Sequence, residues 1–255
     1  MGHQGTGNDR TPEEGAAPGR APAGCRVYAV GDIHGRADLL RRLHGQIRDD
    51  AKTAPELRKV VVYMGDYVDR GPDSFGVIDM LINEPLEGFE RHHLKGNHED
   101  MLMGFLKTGS GGETWIFNGG RDTLESYDAD LWDLGFGLGN LPGLGEKLRA
   151  NIPADHLAFL AGLELHHREG DYLFVHAGLR PGVALEDQDE HDCLWIRHDF
   201  LDSDADYGMI VVHGHSIHPE PDIRPNRIGI DTGAWRTGHL TALVLEGNGV
   251  RFLRT

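Results

Sequence analysis

The chain has 255 residues, 39% of them apolar, and a formal net charge of -16; this excludes a disordered protein and is enough for one α/β domain with a sizeable core. So acidic a surface argues against a nucleic-acid partner, which would need basic residues to displace counterions from phosphates, but it leaves room for a small phosphate ester in a locally positive cleft. Two cysteines, Cys25 and Cys193, make no disulfide framework, and the sequence has neither a long apolar run nor a signal-peptide core, so a reducing, cytoplasmic setting without a membrane partner is expected.

Residues 1–24 are rich in Gly, Pro and Ala with almost no large apolar side chain. They cannot offset the entropy of ordering and are expected to form a disordered tail, with residues 25–255 as a single domain. Cys25 to Val30 reads as a strand. Leu39, Leu40, Leu43 and Ile47 then fall on one helical face, with Asp38 suited to the first turn. Val60 to Met64 is a second strand, buried on both faces. Phe75, Ile78, Leu81 and Ile82 form another helical stripe, His92 to Leu94 a short strand, and Met101 to Leu106 part of a third helix. Residues 108–165 are Gly-rich and yield no assignment. Further strands are expected at Tyr172 to Val175, Met209 to Val212, Arg227 to Ile230 and Leu240 to Leu245. Strand–helix alternation in the first half implies βαβ units, and the strand-rich second half a second sheet.

The strand ends are the informative feature. Five apolar runs end in Gly with Asp, Asn or His: Gly31-Asp32-Ile33-His34-Gly35, Gly65-Asp66-Tyr67-Val68-Asp69-Arg70-Gly71, Gly96-Asn97-His98-Glu99, His176-Ala177-Gly178 and His213-Gly214-His215-Ser216. Sites in open α/β sheets form beyond the carboxyl ends of strands, where Gly lets the backbone turn tightly. Asp32 and Asp66 lie 34 residues apart and Asp66 and Asn97 31, each about one βαβ unit. A chance occurrence of the first three motifs in order is on the order of one in a million.

Asp, Asn and His without Cys suit divalent ions such as Mn²⁺, Fe²⁺ or Zn²⁺. There are donors for two ions. Asp32, His34 and Asp66 can hold one, and Asp66, Asn97, His176 and His215 the other, with Asp66 bridging. Two such ions outweigh two carboxylates and a hydroxide, so the site attracts a phosphate dianion. His44, His92, His93, His156, His166, His167, His191, His198, His218 and His239 lack such support and read as surface or satisfied core residues. His213 is left open as a rim residue.

These motifs resemble the phosphoprotein phosphatase family of metallophosphoesterases, in its bacterial and bacteriophage serine/threonine phosphatase branch, over about residues 26–246. Trp115, Gly119-Gly120 with Thr123-Leu124, Arg180 and Leu194-Trp195-Ile196-Arg197 are similar to that branch. The resemblance implies a calcineurin-like fold, two mixed β-sheets in a central sandwich flanked by helices, with residues 25–255 as one catalytic domain. It implies that Asp32, His34, Asp66, Asn97, His176 and His215 are metal ligands, Mn²⁺ foremost with Fe or Zn as alternatives. It makes His98 the general acid and Asp69 the carboxylate paired with it. Arg70 and Arg197 become the arginines that hold phosphoryl oxygens.

The implied reaction is hydrolysis of a phosphomonoester on serine or threonine by direct attack of a metal-bridging hydroxide, without a phosphoenzyme. Symmetrical diadenosine tetraphosphate hydrolases share these motifs, so that activity, or another small-molecule phosphohydrolase, is the alternative. A catalytically silent phosphate-binding module is disfavoured because the full donor set is present. The expected partner is a phosphorylated protein or small phosphate ester, and the expected state a monomer.

Overall fold

The computed structural model describes residues 15–129 and 141–255. Its strands are β1 (Gly15–Ala16), β2 (Cys25–Val30), β3 (Arg58–Tyr63), β4 (Glu90–His93), β5 (His166–Glu169), β6 (Tyr172–Val175), β7 (Ile210–His213), β8 (Asp222–Ile223), β9 (Arg227–Gly229), β10 (Thr241–Glu246) and β11 (Gly249–Arg254). The α-helices are α1 (Ala37–Ala51), α2 (Ser74–Asn83), α3 (Asn97–Thr108), α4 (Gly112–Trp115), α5 (Arg121–Ser126), α6 (Leu141–Asn151), α7 (Ala154–Ala161), α8 (Glu190–Trp195), α9 (His198–Leu201) and α10 (Ala234–Thr237).

Two mixed sheets form, ordered β1-β11-β10-β2-β3-β4 and β5-β6-β7-β9-β8. In the first, β2, β3 and β4 are parallel, as βαβ units require, while β10 returns antiparallel beside β2. The sandwich follows from side-chain alternation. Val27, Ala29, Val60 and Val62 face Tyr172, Phe174, Val212 and Ile228 across the inter-sheet core. Their neighbours Tyr28, Val30, Val61 and Tyr63 turn the other way, onto Leu39, Leu40, Leu43 and Ile47 of α1. Leu173, Val175 and Val211 cover the outer face of the second sheet with Cys193 and Phe200.

Two expectations need correction. Residues 15–24 are ordered where a disordered tail is expected: β1 pairs with β11, Ala21 is buried, and Tyr172 donates to Gly19 O. Long-range pairing orders this stretch, which composition alone does not reveal; residues 1–14 lie outside the described residues. In α2 the buried face is Val77, Ile78, Met80 and Leu81, while Phe75 is 37% exposed. The unassigned stretch from 108 to 165 is largely helical where it is described (residues 130–140 lie outside), with a π turn at Ile116–Gly120 joining α4 to α5.

His44, buried on α1, shares a hydrogen bond with the Tyr63 hydroxyl (2.8 Å), and burial pushes its imidazole down to about 4. The ring is neutral in the fold and takes up a proton on unfolding, so its contribution is complete above pH 6.5 and is lost as pH falls towards 4. The expected loss is on the order of 2–3 kcal/mol. Urea unfolding at pH 7 and pH 4.5 checks this: His44→Gln should show a shallower pH dependence than the parent, and equal slopes would contradict it.

Candidate active site

The five strand ends meet in one volume. Backbone strain marks the place: six non-glycine residues among those described have positive φ, and five of them are His34 (47°), Asp66 (52°), Asp69 (71°), Arg70 (68°) and His215 (60°). Left-handed backbone at bulky residues costs on the order of 1–3 kcal/mol each and concentrates at functional sites. Gly96 and Gly214 serve close approach, because a Cβ there would run into the carboxylates of Asp66 and Asp32. Glu99, at 0% exposure, accepts backbone N–H bonds from Gly96, Asp66, Tyr67 and Val68 (2.7–3.2 Å), clamping the second strand-end loop to the start of α3.

Hydrogen bonding fixes which imidazole nitrogens face inward. His34 Nδ1 donates to Val68 O (2.9 Å) and His176 Nδ1 to Met64 O (2.7 Å). Carbonyls only accept, so Nε2 of each ring carries a lone pair. His34 Nε2 lies 3.4 Å from Asp66 Oδ2, and His176 Nε2 lies 3.4 Å from Asp66 Oδ1 and 3.0 Å from Asn97 Oδ1. His215 Nδ1 meets the same Asn97 oxygen at 2.9 Å, and its Nε2 is buried without a partner. Asp32 accepts the His215 N–H on both oxygens (3.0 and 3.2 Å).

Acceptors therefore face acceptors in a buried site, an arrangement a cation relieves. Burial pushes His34 down to about 3 and lowers His176 and His215, keeping the rings neutral and able to ligate. Burial, with Asp231 and Asp66 beside it, raises Asp32, a strain that positive charge would remove. The donors fit a divalent ion: His34–Asp66–His98 and Asp66–His176–His215 each bring ligand atoms within 4.8 Å of one another, sharing Asp66. The first group holds His98 where the sequence reading has Asp32.

His98 lies in the first turn of α3. Its Nδ1 is 2.7 Å from Asp69 Oδ2, and its buried Nε2 has no partner. Burial opposes charge on this ring, but Asp66 and Asp69 outweigh it and raise its pKa. Asp69 is held in turn by Trp115 Nε1–H (2.9 Å) and the Thr123 hydroxyl (2.6 Å). Arg70 and Arg197 line a cleft of 690 Å³ over the cluster, with Phe117, Trp235 and Arg236 on its walls. Arg70 donates to His34 Nε2 (2.9 Å) and lies over the Trp235 ring, while Arg197 reaches His215 O and Ser216 Oγ (3.3 Å each).

All ten residues singled out from the sequence thus come together. His213 does not: its ring packs edge-on against Phe200 (5.1 Å), behind the second sheet. Asp231 escaped notice. It is buried, accepts the Gly233 N–H (2.8 Å), and burial pushes it up to about 6. Its signal was available, because Asp231-Thr232-Gly233 comes directly after the Arg227–Ile230 strand and makes a sixth strand end of the same type.

The calcineurin-like phosphoesterase family model matches residues 25–250. Serine/threonine-protein phosphatase 2 of Escherichia coli K12 is 29% identical over 226 residues, covering 84% of this chain and 90% of the relative. The asymmetrical bis(5'-nucleosyl)-tetraphosphatase PrpE of Anoxybacillus flavithermus is 26% identical over 239 residues, covering 84% and 88%. A solved structure described as a candidate diadenosine tetraphosphatase shares the fold at TM-score 0.61 and 23% identity, covering 92% of this chain and 95% of the other. The clustered Asp and His side chains and the arginine-lined cleft agree with that similarity: the chain belongs to the calcineurin-like phosphoesterase family and is a metallophosphoesterase, a hydrolase.

Proposed function

We propose that this chain hydrolyses phosphomonoesters of serine and threonine in proteins, at a binuclear centre held by Asp32, His34 and Asp66 and by Asp66, Asn97, His176 and His215. The observation that carries this reading is the acceptor-against-acceptor contact of His176 Nε2 with Asn97 Oδ1 and Asp66 Oδ1, which a cation would relieve. Divalent cations there, Mn²⁺ foremost with Fe or Zn as alternatives, would supply Lewis-acid charge neutralisation and a water acidic enough to attack phosphorus.

The chain's own residues do the rest. Arg70 and Arg197 fork onto two phosphoryl oxygens and orient the group for in-line displacement. His98 Nε2, free and directed into the site, gives its proton to the leaving oxygen. Asp69 fixes the ring through Nδ1 and favours its charged form. Trp115→Phe removes one donor to Asp69 and is expected to lower kcat about tenfold with bound metal unchanged. Metal analysis beside steady-state kinetics checks it, and a wild-type kcat would rule out the support.

The relative named as a serine/threonine-protein phosphatase supports the protein substrate, as does an open cleft that a peptide could cross. A second reading has its own support. Phe117, 93% exposed, and Trp235 beside Arg236 offer stacking faces for a nucleobase, and another relative is named as a dinucleoside tetraphosphatase. Assaying a phosphoserine peptide and diadenosine tetraphosphate side by side with Mn²⁺ decides: a higher kcat/KM on the peptide is expected, and a reversed preference would sink the protein-phosphatase reading. A cytoplasmic monomer completes the proposal; Cys25 and Cys193, both buried and unpaired, suit a reducing compartment.

A further inference from the structure

We propose that His92, Glu164 and His167 form a surface cation site that takes a Zn²⁺-class transition ion and staples the two β-sheets together. It shares no residue with the catalytic cleft and rests on neither reading of the substrate. His92 is on β4, an edge strand of the first sheet, and His167 on β5, an edge strand of the second. Glu164 bridges them: its N–H donates to His93 O (2.9 Å), its carbonyl accepts from Lys95 N–H (2.7 Å), and it pairs with Leu94 as an isolated bridge. All three side chains therefore stand on hydrogen-bonded backbone.

Their donor atoms lie within 4.8 Å of one another. His92 Nδ1 is 3.1 Å from Glu164 Oε1, and the two imidazoles stack at 3.4 Å between centroids with 20° between planes. Imidazole lone pairs lie in the ring plane, so the two rings must turn out of this stack to converge on one ion. Burial and the neighbouring His92 lower the pKa of His167, so that ring offers a lone pair at neutral pH. The Glu164 side chain is 44% exposed and can swing to close the shell, with water completing it. Two imidazoles and one carboxylate select Zn²⁺, Ni²⁺ or Cu²⁺ over Mg²⁺ or Ca²⁺. Both sheets would be held by one ion at their open edges, where no strand of the other sheet otherwise pairs beyond the Leu94–Glu164 bridge among the described residues.

Equilibrium dialysis of the whole chain against micromolar Zn²⁺, with metal quantified per chain, tests this. Zn²⁺ also enters the catalytic cluster, so the readout is a difference between variants. The double variant His92→Ala/His167→Ala should hold one Zn²⁺ fewer than the parent. Its Zn²⁺-dependent rise in melting midpoint should fall short of the parent's by roughly 5–10 °C at a hundredfold excess over Kd. Its Mn²⁺-supported phosphatase activity should match the parent's, which shows that it folds. Glu164→Gln keeps both imidazoles and should bind at least about tenfold more weakly. Equal Zn²⁺ content and equal midpoints in parent and double variant would overturn the site, and unchanged affinity in Glu164→Gln would remove the carboxylate from it.

Discussion

His98→Asn is expected to lower kcat on an alkyl phosphate ester by ~10²–10⁴-fold, the usual range for a lost general acid, while bound metal stays at the parent level. An alkoxide cannot leave well without a proton, and His98 Nε2, buried without a partner, is the nitrogen proposed to give one. Asparagine keeps a polar group of similar reach towards Asp69 but carries no transferable proton. The defect should shrink on p-nitrophenyl phosphate, whose leaving group is stable as an anion. Leaving-group dependence thus separates proton donation from a general loss of structure. His98 also belongs to one of the two potential ion-binding groups, with Nε2 4.0 Å from Asp66 Oδ2. Loss of metal in His98→Asn would make it a ligand in place of Asp32. Normal turnover of the alkyl ester would remove it from the chemistry altogether.

Asp66→Asn should abolish metal binding and activity together, by roughly 10³-fold or more, because several kcal/mol of transition-state stabilisation depart with the ions. Asp66 is the one residue shared by both groups. Burial opposes its charge, but His176, His98 and His34 around it hold its carboxyl well below the usual range. The substitution also removes a carboxylate that the fold holds in its charged form, so the metal-free variant should melt somewhat below the metal-free parent at neutral pH while keeping a cooperative transition. What it should lose is the rise in melting midpoint on adding Mn²⁺. Melting curves with and without Mn²⁺, run beside turnover, check both halves, and a fully loaded, active variant would refute the bridging role.

Much of this was legible because site and fold use the same local signals. The runs at Cys25–Val30 and Tyr172–Val175 are rich in β-branched and aromatic residues, fully buried, and their bounds match the observed strands. The polar residues just after each strand obey a fixed grammar of Gly with Asp, Asn or His, and the two sheets together carry them to one end of the sandwich. Where the sequence was opaque, structure came from distance. β1 exists only through its pairing with Val250 and Gly249, and β8 is two residues long. Between residues 108 and 126 the helices are four to six residues long and joined by a π turn with Gly119 at φ 113°, too short to show a period of 3.6. That irregular stretch supplies Trp115 and Thr123 to Asp69 and Phe117 to the cleft. His92 and His167 looked unremarkable because their partnership joins two sheets and has no spacing in the chain.

The central claim is that two cations sit between these side chains and share Asp66. Anomalous diffraction from Mn²⁺-soaked crystals tests it most directly. Two peaks are predicted, one among Asp32, His34 and Asp66 and one among Asp66, Asn97, His176 and His215, with the Asp66 carboxylate between them. A single peak, or peaks that leave Asp66 unligated, would contradict the account.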